Sequence, residues 1–230
     1  FAQLSESSLS IDEILVLSGE IHPKSARRVS WHQRIVDICE LALKYNFLPH
    51  CNAGPLSYDE MKALKRCNAS MGLMIESTNA NLTVHKFAPN KKPHLRVEQL
   101  RQAGELGIPF TTGLLLGIGE SRQDRIDSLQ LICDIANEFG HIQECILQPY
   151  MEGTKDKYAK QKHKDTSSAH DNNDRIFRLD DLPGFVKIAR SILPKNVHIQ
   201  IPLNLVRNNV DLLKKCFDAG KFCSPRNRGK

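Results

Sequence analysis

Acidic and amide side chains, with one histidine, recur in this chain where short apolar runs end. They are Glu20, His50 with Asn52, Glu76, Glu120, Gln148, and Gln200 with Asn204. In α/β proteins such strand ends are where ligand contacts gather. A carboxylate like Glu76 at a strand end can accept both hydroxyls of a ribose; the alternative is an ion pair with a lysine or arginine. Residues 108–120, IPFTTGLLLGIGE, end an apolar, β-branched run in Gly113, Gly117 and Gly119. Glycines there let a ligand approach bare backbone amides. The alternative for Glu120 is to cap the helix that follows.

The elements that must carry these groups follow from periodicity. Residues 110–116 are too short for a helix and flanked by Pro109 and glycines, so they read as a buried parallel strand. Similar runs at 47–50, 69–75, 142–148 and 197–201 read as strands, with a polar turn at 51–54. Helical spacing of apolar residues marks 29–45, 95–106, 121–139, 180–193 and 211–217. Ser57 with Glu60, and Ser121 with Asp124, have capping-box spacing at the starts of helices 57–66 and 121–139. Residues 9–14 read as a helix start, with Ser10 as cap and Glu13 three residues on, but they run within a few residues into a strand ending at Ser18-Gly19-Glu20. There is hardly room for both.

The expected organisation is a βα core over 1–150, a polar and disordered insertion over 151–178, and a helix–strand–helix over 179–230 with a frayed basic tail. Strand and helix alternate at least five times, which argues a parallel sheet with right-handed crossovers. A partial parallel (βα) barrel fits better than a doubly wound sheet, because a barrel brings every strand end to one mouth.

The net charge of +6 comes largely from the polar segment and the tail rather than from an aromatic-lined face, which argues against nucleic acid. No apolar run approaches the ~20 residues of a membrane span. The seven cysteines form no close pair, so a reducing compartment is expected. No metal ligand set is apparent; the histidines lack zinc spacing, and His85, His94 and His198 read as structural or exposed. The chain begins at Phe1, so a preceding segment is expected.

Five stretches taken together carry a resemblance: FLPHCNAGPLS (47–57), NASMGLMIE (68–76), IPFTTGLLLGIGE (108–120), HIQECILQPY (141–150) and IQIPLNL (199–205). From about residue 9 to 213, apart from the polar segment, the chain resembles the deazaflavin branch of the radical S-adenosylmethionine (SAM) enzymes, specifically the ring-closing half of the FO synthases. The resemblance implies radical closure of a deazaflavin ring, with loss of ammonia, on an adduct of tyrosine and a ribitylamino-uracil. A tyrosine-coupling half, separate or fused, would make that adduct. It implies SAM and a 4Fe-4S cluster as cofactors, a small-molecule substrate, and a cytoplasmic location, or a plastid one if a transit peptide has been lost.

Carried over residue by residue, the resemblance gives Ser18, Gly19 and Glu20 to the SAM amino group, Glu76 to the ribose, and Gly113, Gly117 and Glu120 to the adenine side, the glycines admitting the flat base and Glu120 shaping the turn. His50, Asn52, Gln148, Gln200 and Asn204 would line the pocket toward the polyhydroxylated substrate, since amides donate and accept together; the alternative for Asn52 and Asn204 is that they only fix turns. The family's first strand and its C-x-x-x-C-x-x-C cluster loop have no counterpart in these residues. This chain alone is therefore expected to be inactive. Two other functions stay open: a non-catalytic chain of the same fold that binds a metabolite or partner, and a non-radical βα-barrel lyase, which would need a paired acid and base.

Overall fold

The strand Phe110–Leu116 (β4) lies inside a six-stranded sheet. The structure, a computed structural model, describes residues 1–5, 11–150, 176–202 and 209–220. The other strands are Glu13–Leu17 (β1), Leu48–Asn52 (β2), Ser70–Gly72 (β3), Ile142–Pro149 (β5) and His198–Gln200 (β6). All pairings are parallel, and the spatial order is β1 to β6 in chain order. A doubly wound sheet reverses its order at a switch point; an order that runs in one direction is that of a (βα) barrel. The fold is a partial parallel (βα) barrel.

The helices are Ala2–Ser5 (α1), Arg28–Lys44 (α2), Tyr58–Leu64 (α3), Pro93–Glu105 (α4), Arg122–Phe139 (α5), Leu182–Ile192 (α6) and Val210–Gly220 (α7). Both expected capping boxes form. Ser121 Oγ accepts from Asp124 N at 3.1 Å while Asp124 returns the bond to Ser121 N at 2.7 Å. Ser57 and Glu60 do the same for α3. Gly140, at φ +69°, stops α5 in the left-handed conformation that glycine adopts without strain.

Consecutive helices pack side by side, and α2, α5 and α6 lie directly on the strands. Their face of the sheet holds Val16, Cys51, Met71, Phe110, Leu114, Cys145, Leu147 and Ile199, all buried. Phe110, Leu129, Ile132 and Met61 are fully enclosed; each such side chain contributes about 1.5–3 kcal/mol by leaving water. Strand side chains alternate between faces, so the opposite, inner face carries Leu15, Leu17, His50, Asn52, Ser70, Gly72, Thr111, Gly113, Leu115, Glu144, Ile146, Gln148, His198 and Gln200. Most of these are polar. The same alternation that builds an apolar outer layer therefore gives a polar interior.

Two local expectations are corrected. Over 11–14 no helix forms: β1 starts at Glu13, paired with Leu48, and Ile14 and Val16 turn toward the helices. Tertiary pairing with β2 outweighs the Ser10 capping signal. Residues 51–52 are strand rather than turn, because the buried Cys51 thiol faces the helical layer and Asn52 pairs with Leu17. Most of the polar segment, and the basic tail, lie outside the described residues. Its last residues do pack: Phe177 meets Phe185 edge-on, ring centroids 5.8 Å apart, and the Arg125 guanidinium lies over its ring. Among the described residues no helix is long and apolar enough to cross a membrane.

Candidate functional site

The carboxyl ends of β1 and β3 meet through a residue of α4. Arg96 is 3% exposed, a burial that a guanidinium tolerates only when its donors are used. Nη2 donates to Glu20 Oε1 at 3.0 Å, Nη1 to the Met74 carbonyl and toward Glu76 Oε1 at 3.4 Å, and Nε to the Asn90 carbonyl. Glu76 also receives Lys91 Nζ on Oε1 at 2.7 Å, and His85 Nε2 lies 2.8 Å from Oε2. Burial alone would raise the Glu76 pKa. The contacts from His85, Lys91 and Arg96 outweigh it and hold the carboxyl at about 2. Glu76 itself sits at φ +64°, a left-handed conformation that costs a non-glycine residue about 1–3 kcal/mol. The ion pair, the alternative open for Glu76, is thus what the folded chain makes. His85, read from sequence as structural or exposed, is part of the cluster.

Glu20 leaves β1 through Ser18 and Gly19. The Ser18 hydroxyl accepts the Trp31 indole N–H at 2.7 Å and donates to the Gly19 carbonyl. The Glu20 side chain lies against the Cα of Gly54, where any Cβ would collide with it. Ser18, Gly19, Glu20 and Glu76 are therefore brought to one end of the sheet, as expected.

The glycine turn after β4 is arranged differently from the expectation. Glu120, 1% exposed, folds back and accepts from Gly117 N at 2.8 Å and Ile118 N at 2.7 Å. Arg125 Nε donates to the same carboxylate at 2.6 Å. The amides that would have been bare are satisfied from within, by the Glu120 carboxylate that shapes the turn. At Gly113 a Cβ would meet the backbone of Ile146 and the methyl of Met74, so that glycine serves strand packing and leaves no slot for a base. Gly117 is at φ +89° with Phe177 beside it. Gly119, at φ +99°, is the glycine of this turn with open space over its Cα.

His50, Asn52, Gln148 and Gln200 all fall on the inner face. Asn204 lies outside the described residues. His50 Nδ1 is 2.7 Å from Ser70 Oγ, and its other edge packs on Gly72, where a Cβ would be 2.9 Å from Nε2. Burial pushes the His50 pKa down, against the pull of the Glu13 and Glu144 carboxylates, so the ring is neutral at pH 7.

Sequence reasoning missed Arg96, Lys91 and Glu144, and read His198 as structural or exposed. Arg96 sits on a helix with no motif of its own. Glu144 and His198 alternate with apolar residues in their strands, and that signal was there to be used. Among the described residues no group of His, Cys, Asp or Glu is placed to hold a metal ion.

No family model matches the chain. It is similar to 7,8-didemethyl-8-hydroxy-5-deazariboflavin synthases. Identity is 49% over 210 residues with that of Trichormus variabilis, covering 90% of this chain and 57% of the relative. With the Synechocystis protein it is 50% over 212 residues, covering 91% and 63%. The chain thus spans about three-fifths of the length of these relatives. Among solved structures it is similar to methylornithine synthase (PylB), with a TM-score of 0.62, 13% identity and coverage of 89% of this chain and 55% of that one. The archaeal Methanocaldococcus infernus Elp3 gives a TM-score of 0.53 at 15% identity, covering 86% and 50%. At such identities the structural likeness bears on the fold.

Proposed function

We propose that this chain, similar over nine-tenths of its length to the 7,8-didemethyl-8-hydroxy-5-deazariboflavin synthases (FO synthases), belongs to that family and serves its ring closure. The substrate would be the tyrosine–ribitylamino-uracil adduct supplied by a tyrosine-coupling partner, and the products the deazaflavin and ammonia. The observation that carries this reading is the polar inner face set on a parallel barrel at about half identity to the family. His50, Asn52, Gln148 and Gln200 offer neutral donors and acceptors, which suit a ribityl chain and a uracil ring. The same identity favours neither alternative, a partner-binding chain or a non-radical lyase.

Of the cofactors, SAM has residues that suit it. Glu20 and Glu76, at the ends of β1 and β3 and joined through Arg96, stand as acceptors for an ammonium and for ribose hydroxyls. The open Gly119, rather than Gly113, is the glycine able to admit a flat base. An iron–sulfur cluster does not fit the residues present: the sequence has no C-x-x-x-C-x-x-C, and the described cysteines are buried and form no group placed to hold a metal ion. No radical step is assigned to these residues, and the chain by itself is proposed to be a binding rather than a turnover unit. Its free thiols support a reducing compartment such as the cytoplasm.

Calorimetry with SAM or 5′-deoxyadenosine tests the reading. Without a cluster to anchor the methionine end, binding on the order of 0.1–1 mM is expected, about −4 to −5.5 kcal/mol. Glu76→Ala weakens it by removing the ribose acceptor. Lys91→Ala, which frees one Glu76 oxygen from competition, tightens it a few-fold. Undetectable binding at millimolar ligand, or no response to either substitution, overturns the assignment of Glu76.

A further inference from the structure

The inner face holds a carboxylate that the site description leaves without a task. Glu144 lies within β5, in register with Thr111 of β4 on one side and His198 of β6 on the other. These pairings put its side chain on the same face as His50, Asn52, Gln148 and Gln200. The three strand-end acids are already neutralised: Glu20 by Arg96, Glu76 by Lys91 and Arg96, Glu120 by Arg125. Among the described residues no ion pair reaches Glu144. The charged and titratable groups that share its face are Glu13 at the sheet edge, His50 and His198. His50 is held neutral by its burial and supplies no compensating charge.

A half-buried carboxylate flanked in register by Thr111 and His198, with no ion pair among the described residues, is a site for a ligand's positive charge. The amides cannot supply that recognition, since they do not separate a charged donor from a neutral one. The substrate class in the reading above carries one group of the required kind, the amine that departs as ammonia. Resting on that reading, we propose that Glu144 binds this amine in its ammonium form and so orients the ring toward closure.

The test compares two probes on the folded chain: a ribitylamino-uracil bearing a free primary amine, and the same compound with that amine replaced by hydrogen. Glu144→Gln keeps the shape and removes the charge. It should weaken the amine-bearing probe about tenfold, the loss expected of one charge-assisted hydrogen bond, and leave the other probe unchanged. Should the glutamine variant not fold, Glu144→Asp, which withdraws the carboxylate by one methylene, should show the same selective loss to a smaller degree. If the wild-type chain binds both probes and the substitutions weaken both equally or neither, the assignment of Glu144 falls while the functional reading stands. If the wild-type chain binds neither probe, the reading falls and takes the assignment with it.

Discussion

Arg96 Nη2 lies 3.0 Å from Glu20 Oε1, joining residues 76 positions apart in sequence. The bond ties helix α4 to the end of β1, two strands away from the β3 end that the same guanidinium also holds. Removing the cation would leave Glu76 buried with less compensation and two carbonyls without their donor. Truncating one member of a buried charge network costs about 3–5 kcal/mol. Arg96→Met should therefore lower unfolding stability by about 3 kcal/mol in urea titrations. Arg96→Lys should recover less than half, because an ammonium cannot span both carboxylates as a planar fork does. A loss below about 1 kcal/mol for the methionine variant would mean that the cluster does not brace the sheet.

The same cluster sets an acid limit on stability. The Glu76 carboxyl is held at about 2 in the folded chain, below its ordinary 4.5. A depressed folded pKa means that the unfolded chain takes up the proton first as pH falls. The contribution is complete above about pH 4.5 and disappears as pH drops toward 2; at one pKa unit per 1.36 kcal/mol it is about 3 kcal/mol at most. Glu76→Gln should flatten the pH dependence of stability between about pH 4.5 and 2. An unchanged slope in that interval would show the charge to be compensated equally in both states.

The glycines of the β4 region separate packing from conformation. Gly113→Ala would drive a Cβ into the Ile146 backbone, which cannot yield without moving β5. We expect a loss of about 3 kcal/mol or more, or failure to fold. Gly119→Ala meets no atom but must hold φ +99°, a strain of about 1–3 kcal/mol. Thermal melts of the two variants should rank Gly113→Ala as the worse. The reverse order would place the critical contact at the turn rather than in the strand.

Much of the architecture was legible because period and caps agree with the fold. The apolar run of β4 and the Ser57 and Ser121 boxes each specify an element from local residues alone. The convergence of Glu20, Glu76 and the inner-face amides followed from counting strand ends. What sequence could not give was the partner of each carboxylate. Arg96 and Glu20 are brought together by packing between distant elements, and no local pattern announces that. The bare amides expected at the glycine turn misled for a different reason. A glycine-rich strand end predicts bare amides only if no nearby side chain bonds them, and a carboxylate three residues on does so here. Gly113 looked like a slot for a ligand and is a slot for a neighbouring strand, two uses of glycine that a sequence does not distinguish.

The last prediction concerns the thiols, on which any claim of iron chemistry depends. Cluster ligation needs thiolates, so it needs thiols that ionise near neutral pH and stand at close, defined spacing. Among the described residues no cysteines form a group placed to hold a metal ion. Burial pushes Cys67 and Cys216 up to about 11 and Cys145 to about 12, while a hydrogen bond with Cys51, together with burial, raises Cys39. All six described cysteines are buried, so reaching them requires opening the helical layer. In native buffer near pH 8 a thiol-specific reagent should label none of these six until the chain is unfolded, and then all of them. Anaerobic incubation with iron and sulfide should leave the chain without a cluster absorption band. Stoichiometric iron with such a band in the folded chain would contradict this, and would mean that a thiolate set assembles here in an arrangement other than the one described.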